Sequence, residues 1–125
     1  MTADKVVDAS ALAAVTFLDS DFAAMDARLD GATLHGPTLL RLEMASVCLK
    51  MLRLRTAERA VILRQYTSSL ETPIVEHQPD YPQVLVLAEQ HRLTAYDACY
   101  LWLTKQLNCE LVTLDARLES AARSL

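Results

Sequence analysis

Four short apolar segments alternate with longer segments of helical periodicity, and this alternation predicts the architecture of the chain. The apolar segments are expected to form buried strands at residues 5–8, 33–35, 73–76 and 110–115. Helices are expected at residues 10–18, 21–29, 37–54, 56–69, 81–91 and 94–107, with a last one from residue 116. Short apolar strands separated by helices are typical of a parallel sheet covered on both faces. We therefore predict an α/β fold.

The helix expected at residues 37–54 has an unusual distribution of apolar residues. Pro37 suits the first turn of a helix, where the N–H that proline lacks is not needed. Apolar residues lie on nearly every side of this helix, namely Leu39, Leu40, Leu42, Met44, Ala45, Val47, Leu49 and Leu52. Because a helix that is apolar all round is typical of one enclosed by protein, we expect it to be buried.

The composition indicates one domain and excludes two common chemistries. The 125 residues, 52% of them apolar and 22% charged, suit a single core, and no linker or repeat interrupts them. We therefore predict one domain over residues 1–125. Since only two glycines occur, the phosphate-binding loops GxGxxG and GxxxxGK[ST] are absent. This excludes the usual dinucleotide-binding and P-loop sites.

Cysteine usage and the N-terminal sequence predict the compartment. Three cysteines without a CxxC pair favour neither a disulfide framework nor a thiolate zinc site. The first residues lack the layout of a signal peptide, and no uncharged apolar stretch reaches the roughly 18 residues of a membrane span. We expect a cytoplasmic protein with no membrane segment.

Acidic residues fall where a parallel sheet places its ligands, beyond the carboxyl ends of the strands. Asp8 ends the first strand, Asp115 ends the fourth, and Asp97 opens the helix before the fourth. Each of these three also has a simpler explanation as a helix cap or a first-turn acid. Taken singly, capping is the better interpretation.

Glu43 has no such explanation, because it lies within the apolar helix. A buried carboxylate must be neutral, paired or bound to a metal, and Lys50 is a distant partner. Together with Asp8, Asp97 and Asp115 it would form an oxygen-rich pocket of the kind that Mg²⁺ or Mn²⁺ prefers. Such ions align a water molecule and stabilise the charge of a phosphodiester transition state.

The positive charge is concentrated although the net charge is −4. Residues 41–64 hold six of the twelve basic residues and only two acids. This pattern fits a surface that binds phosphates, or alternatively a solvated helical face. The residues that we expect to bind RNA are Arg41, Lys50, Arg53 and Arg55.

The remaining candidates are interpreted as structural. Cys48 and Cys99 are expected to fill the core. Tyr96, Tyr100 and Trp102 share one helix and are expected to pack, with the alternative that Tyr96 reaches the site. The three histidines lack HExxH spacing, so a zinc site is not expected.

Three segments resemble the PIN-domain family, in particular its VapC-type toxins: VVDAS at 6–10, LRLEMASVCLK at 40–50 and LTAYDACYLWLTKQLNCELVTLDARL at 93–118. The resemblance implies a three-layer α/β/α fold with a short parallel sheet of four to five strands. It also implies a Mg²⁺- or Mn²⁺-dependent ribonuclease, commonly a homodimer, inhibited by a small antitoxin protein.

The resemblance assigns roles to individual residues. The metal-binding acids of the family correspond to Asp8, Glu43, Asp97 and Asp115. The small hydroxyl residues that accompany those acids correspond to Ser10 and Thr113. Asn108 stands where relatives often have glycine, and asparagine tolerates the same left-handed turn.

These observations predict a metal-dependent endoribonuclease of the toxin type. A catalytically inactive PIN-like module that binds nucleic acid or mediates assembly is the alternative, since it would carry the same basic segment. An aspartyl-phosphate enzyme would also use Asp8. Haloacid-dehalogenase-like enzymes, however, have a second acid two residues later, where this chain has Ser10.

Overall fold

A four-stranded parallel sheet forms the centre of the structure, a computed structural model that describes residues 2–125. Met1, which the predicted domain includes, lies outside the described residues. The strands are β1 (Asp4–Val7), β2 (Thr33–Pro37), β3 (Val75–His77) and β4 (Glu110–Val112). They lie in the order β3-β2-β1-β4, and all neighbouring pairs are parallel. β1 is an inner strand, so its carboxyl end opens between the helices that follow β1 and β4.

Seven α-helices cover the sheet. They are α1 (Ala9–Thr16), α2 (Phe22–Leu29), α3 (Leu40–Leu54), α4 (Arg59–Ser69), α5 (Tyr81–His91), α6 (Ala95–Leu107) and α7 (Ala116–Arg123), with a 3₁₀ turn at Thr56–Glu58. α1 packs against α2, α3 and α4, whereas α6 packs against α5, α7 and three of the strands. This confirms the predicted three-layer α/β/α fold with a four-stranded sheet. Within residues 2–125, no helix is long and apolar enough to cross a membrane.

The core is centred on β1 and α6. Val6 and Val7 of β1 and Val112 of β4 are fully buried. Every residue of α6 from Ala98 to Thr104 is buried as well. α6 therefore takes the place in the core that was expected for the helix at residues 37–54.

The predicted start of that helix is wrong. α3 begins at Leu40, whereas Gly36 and Pro37 extend β2 because β3 pairs with β2 as far as Pro37 opposite His77. Gly36 is needed there, since a Cβ at this position would lie 2.6 Å from the Leu40 Cδ2 atom. The close approach of β2 to the first turn of α3 brings that turn to the edge of the sheet.

The predicted burial of α3 is also wrong. Only one stripe of the helix is buried, formed by Leu40, Met44 and Cys48. Leu42 and Leu54 are more than 70% exposed. The helix contains many apolar residues because α3 carries exposed leucines in addition to those that pack on α1 and α4.

Candidate functional site

Asp8 is held at the carboxyl end of β1 by three donors. Its Oδ1 atom accepts hydrogen bonds from the Ala11 N–H at 3.0 Å and from the Ser10 hydroxyl at 2.7 Å. Its Oδ2 atom accepts one from the Thr113 hydroxyl at 2.5 Å. Asp8 is therefore the N-cap of α1, as the simpler interpretation of this residue proposes, but both of its oxygens are also fixed by hydroxyl groups.

Ser10 and Thr113 also join the two neighbouring strand ends. The Leu114 N–H donates to the Ser10 hydroxyl at 3.0 Å, and the Asp115 N–H donates to the Thr113 hydroxyl at 3.0 Å. The turn after β4 is thus built on the turn after β1. The structure brings both predicted supporting residues to Asp8.

Burial and hydrogen bonding act in opposite directions on the pKa of Asp8. Burial raises the pKa of this carboxyl, the hydrogen bonds from Thr113, Ser10 and Ala11 lower it, and the negative charge of Asp115 raises it further. The net pKa is raised above its ordinary value. Asp8 and Asp115 are therefore close enough for their charges to interact.

Glu43 lies in the first turn of α3 and is half-buried rather than enclosed. Its partner is the hydroxyl of Tyr100, which donates to Oε1, and Lys50 is exposed on a later turn. Burial raises the pKa of Glu43, the Tyr100 hydrogen bond lowers it, and the charges of Asp8 and Asp97 raise it. Its net pKa is raised, and its neighbours are the predicted site acids.

The other two acids differ in how their carboxylates are used. Asp115 is exposed and caps α7, with Oδ1 accepting from the N–H groups of Arg117 and Leu118 at 2.9 and 3.0 Å. At the start of α6 the cap is Thr94, whose hydroxyl accepts from the Asp97 N–H at 3.1 Å. Within residues 2–125 the Asp97 carboxylate accepts no hydrogen bond, so it caps no helix itself, but it lies in the first turn of α6, as the simpler interpretation of this residue proposes.

The donor chemistry of this region fits a hard divalent cation. Charge interactions link Asp115 to Asp8, and link Glu43 to both Asp8 and Asp97. Across the described chain, however, no three His, Cys, Asp or Glu side chains are already arranged to hold a metal ion. Mutual repulsion favours separated carboxylates in the absence of a cation. The four acids are therefore linked by pairwise charge interactions, but within residues 2–125 no three of their carboxylates meet at one point.

The four basic candidates do not reach this region together. Arg41 donates to the backbone carbonyls of Ser69 and Thr72 at 3.2 and 2.9 Å, and so stabilises the end of α4. The sequence pattern did not predict this structural role. Lys50 and Arg53 are exposed on α3 roughly 10 and 15 Å beyond Glu43 along the helix axis, at the usual helical rise.

Two further features were missed. Tyr100 is not simply a packing residue, because it contacts Glu43, and its spacing of three residues from Asp97 on α6 could have indicated a shared face. His35 lies between two partners, with His77 at 2.9 Å from its Nδ1 atom and Asp4 at 2.9 Å from its Nε2 atom. Nothing in the local sequence pattern indicates that contact.

The comparison with protein families agrees with the geometry. The model of the PIN domain family matches residues 5–124. The chain belongs to the PIN domain family. PIN domains are generally nucleases, which agrees with carboxylates gathered at the carboxyl edge of the sheet. The resemblance to this family that the sequence motifs indicated is confirmed.

Two solved structures share the fold of this PIN domain. PAE2754 from Pyrobaculum aerophilum is 26% identical, with a TM-score of 0.77 over 98% of this chain and 89% of that chain. VapC20 from Mycobacterium tuberculosis, a toxin that cleaves the sarcin-ricin loop, is 13% identical, with a TM-score of 0.65 over 94% of each chain. At that identity the likeness to VapC20 shows the fold alone. No curated protein sequence matches the chain significantly.

Proposed function

We propose that this PIN domain is a metal-dependent endoribonuclease that acts in the cytoplasm as the toxin of a type II toxin–antitoxin pair. The observation that carries the proposal is a pair of hydrogen bonds beyond the sheet edge: the Thr113 hydroxyl, after β4, donates to Asp8, after β1, and the Tyr100 hydroxyl of α6, the helix that carries Asp97, donates to Glu43. Carboxylates that the protein holds with its own hydroxyl groups, near further acids, are typical of a site that binds a cation.

Asp8, Asp97 and Asp115 would hold the cation, with Glu43 completing the ligand set or orienting the attacking water. A bound Mg²⁺ or Mn²⁺ would supply an activated water and offset the charge that develops on the phosphodiester. Ser10 and Thr113 support this site by fixing the two oxygens of Asp8.

Within the described chain, three of the four acids keep an oxygen without a hydrogen-bond donor, whereas both oxygens of Asp8 already accept hydrogen bonds. The α7 cap uses Oδ1 of Asp115 and leaves Oδ2 without a hydrogen-bond donor. The Tyr100 hydroxyl uses Oε1 of Glu43 and leaves Oε2, and both oxygens of Asp97 are available. These oxygens, together with the remaining lone pair of Oδ2 of Asp8, would be the ligands offered to one ion.

RNA would be held through its phosphates by Lys50, Arg53 and Arg55. These residues are exposed along the second half of α3 and just after it, and contacts of this kind position a nucleic acid without reading its sequence. Arg41 is left out of this set because its guanidinium is already bound to the end of α4.

Two protein partners are included in the proposal. A homodimer would cover the exposed leucines of α3, which include Leu42, Leu49 and Leu54. Leu42 and Leu49 are seven residues apart and therefore lie on one side of α3, and exposed apolar side chains placed together in this way are typical of an interface. The small antitoxin protein rests on the family resemblance and on the fold shared with the toxin VapC20.

One observation favours a second candidate function, a catalytically inactive module that binds nucleic acid or mediates assembly. In the part of the chain that the structure describes, no three ligand side chains already form a metal site. Such a module would bind RNA through α3 without cutting it. Binding without metal-dependent cleavage would be its signature.

The deciding experiment incubates the purified protein with single-stranded and hairpin RNA in Mn²⁺, in Mg²⁺ and in chelator. We expect cleavage that requires the metal and is lost in Asp97→Asn. The matched control is Asp80→Asn, because Asp80 caps α5 through the Gln83 N–H and is not among the charges that act on Asp8 or Glu43. Equal cleavage with chelator, or full activity of Asp97→Asn, would contradict the proposal.

A further inference from the structure

Tyr100 is a buried tyrosine whose hydroxyl points to a site acid. Only 1% of the residue is exposed, and it lies in the middle of α6. Its hydroxyl donates to Oε1 of Glu43, which belongs to α3, 57 positions earlier in the chain. One hydrogen bond therefore joins the two helices that supply Glu43 and Asp97.

A buried hydroxyl needs a partner, but it does not need a carboxylate. Thr104, one turn further along α6, satisfies its hydroxyl with the backbone carbonyl of Tyr100 at 2.8 Å. Trp102 on the same helix donates its indole N–H to the neutral amide oxygen of Gln83 at 3.0 Å. Tyr100 differs from both neighbours, since its partner is a half-buried acid whose ionised form is costly to enclose.

The place of Tyr100 on α6 also relates it to the acids of the candidate site. Asp97 and Tyr100 are three residues apart on α6, so they lie on the same face of that helix. Glu43 is in turn close enough to Asp97 and Asp8 to experience both of their charges. The Tyr100 hydroxyl thus fixes one oxygen of the acid whose charge interacts with those of both Asp8 and Asp97.

We propose that Tyr100 is a positioning residue, which holds Oε1 of Glu43 so that Oε2 is presented to a divalent cation shared with Asp8 and Asp97. This inference rests on the proposed function and deepens it. The hydroxyl lowers the cost of metal binding because Glu43 is oriented before the cation arrives.

The substitution Tyr100→Phe isolates this role, since it removes one oxygen atom and keeps the ring in the core. Glu43 is half-buried, so its freed oxygen can be hydrated and the protein is expected to fold. We expect Mn²⁺ to bind about tenfold more weakly, at the lower end of the losses typical for groups that orient metal ligands.

Calorimetric titration of Mn²⁺ into the RNA-free protein measures this affinity without reference to activity. The set comprises wild type, Tyr100→Phe, Glu43→Gln and the double variant, with Tyr66→Phe as a control for losing a half-buried tyrosine hydroxyl. We expect Tyr66→Phe to match wild type, and the double variant to match Glu43→Gln, because Tyr100 acts only through Glu43. The proposal would be overturned if Tyr100→Phe bound Mn²⁺ as tightly as wild type does. It would also be overturned if the loss of Mn²⁺ affinity in the double variant equalled the sum of the losses in the two single variants.

A second measurement keeps Tyr100 in place. Mg²⁺ is titrated into Tyr96→Phe, which removes the exposed tyrosine beside Asp97, and the tyrosine absorption difference spectrum is recorded. We expect a metal-induced change that disappears when Glu43→Gln is added to this background. Mg²⁺ binding with no change in tyrosine absorption would show that the phenol does not sense the cation.

Cleavage assays separate a failure of the inference from a failure of the proposed function. We expect Tyr100→Phe to need about tenfold more Mn²⁺ for half-maximal cleavage, in line with its affinity, and to keep the wild-type KM for RNA. Normal metal-dependent cleavage by Tyr100→Phe overturns the role of Tyr100 alone. A wild type that binds Mn²⁺ through Tyr100 and Glu43 but does not cut RNA overturns the nuclease alone. A wild type that binds no Mn²⁺ overturns both.

Discussion

The hydroxyl of Thr113 donates to Oδ2 of Asp8 at 2.5 Å, although 105 positions separate the two residues in the chain. This contact joins the end of β4 to the end of β1, at the place where the candidate site opens. Because Asp8 is 6% exposed, its carboxylate depends on protein donors rather than on water. The contact therefore contributes to the stability of the fold as well as to the shape of the site.

Replacing Thr113 by valine tests this contribution. Thr113→Val keeps the volume of the side chain but leaves Oδ2 of Asp8 without its donor. We expect the free energy of unfolding to fall by about 2 kcal/mol, a typical value for a hydrogen bond to a charged group. Denaturant unfolding measures the change. Thr104→Val is the matched control, since its buried hydroxyl bonds to a backbone carbonyl and should cost about 1 kcal/mol. A smaller loss at Thr113 than at Thr104 would contradict the importance of the Asp8 contact.

Asp8 and Asp115 could be found in the sequence because their positions follow from strand order. Parallel strands place their carboxyl ends at one edge of a sheet, so an acid after each of two neighbouring strands must lie close to the other. The limits of α5 also agree with the helix expected at residues 81–91, and Asp80 caps its start. The start of α5 depends on residues that are close in the sequence, whereas the pairing of β1 with β4 joins distant parts of the chain.

The contacts of Glu43 and Arg41 could not be found in this way. Tyr100 meets Glu43 only because α6 packs in the centre of the fold beside the first turn of α3. Arg41 was counted as a basic surface residue, but a count of charges does not show that two carbonyls at the end of α4 lie within its reach. Such contacts depend on packing between elements, which hydrophobic periodicity does not specify.

The raised pKa of Glu43 predicts an unusual pH dependence of stability. Burial raises this pKa above the ordinary value of 4.5, so the folded protein takes up a proton more readily than the unfolded chain does. The contribution of Glu43 to the free energy of unfolding should therefore increase as the pH falls through the folded pKa, and level off below the ordinary value. The free energies of unfolding of wild type and Glu43→Gln, measured in chelator at several pH values, differ by this contribution. Parallel pH curves for the two proteins would contradict the raised pKa.

His77 should show the opposite dependence. Burial and the neighbouring His35 lower the pKa of His77 below the ordinary value of 6.5, so the unfolded chain takes up a proton first. The stabilisation is complete above pH 6.5 and is lost as the pH falls below that value. In His77→Gln this part of the pH dependence should be absent. His91→Gln, which changes a histidine outside the His35 contact, should still lose stability as the pH falls below 6.5. If both variants lack this loss of stability, it does not come from His77.

The exposed leucines of α3 allow a test of the proposed dimer. Leu49→Lys places a charge on the exposed face of α3 without touching the buried stripe at Leu40, Met44 and Cys48. We expect wild type to sediment as a dimer and Leu49→Lys to sediment as a monomer with an unchanged circular dichroism spectrum. The control is Leu85→Lys on α5, where the leucine is 68% exposed. A wild type that is monomeric at tens of micromolar would refute the dimer, since such a concentration exceeds typical weak-dimer constants.

Melting experiments on Asp97 separate a shared metal site from four unrelated carboxylates. Thr94, not the Asp97 carboxylate, caps α6, so Asp97→Asn loses no cap and relieves repulsion with Glu43. In chelator, the melting temperature of Asp97→Asn should therefore equal or exceed that of wild type. Millimolar Mg²⁺ should raise the melting temperature of wild type by mass action, and raise that of Asp97→Asn much less.

Asp80→Asn completes this comparison, because it changes an acid that caps α5 outside the site. Its melting temperature should respond to Mg²⁺ as wild type does, whatever its stability in chelator. Glu43→Gln should follow Asp97→Asn, since both remove one negative charge from the same group of acids and neither removes a cap. If Mg²⁺ instead shifts all four proteins equally, the ion acts elsewhere on the surface, and the carboxylates at the ends of β1 and β4 do not form a common site.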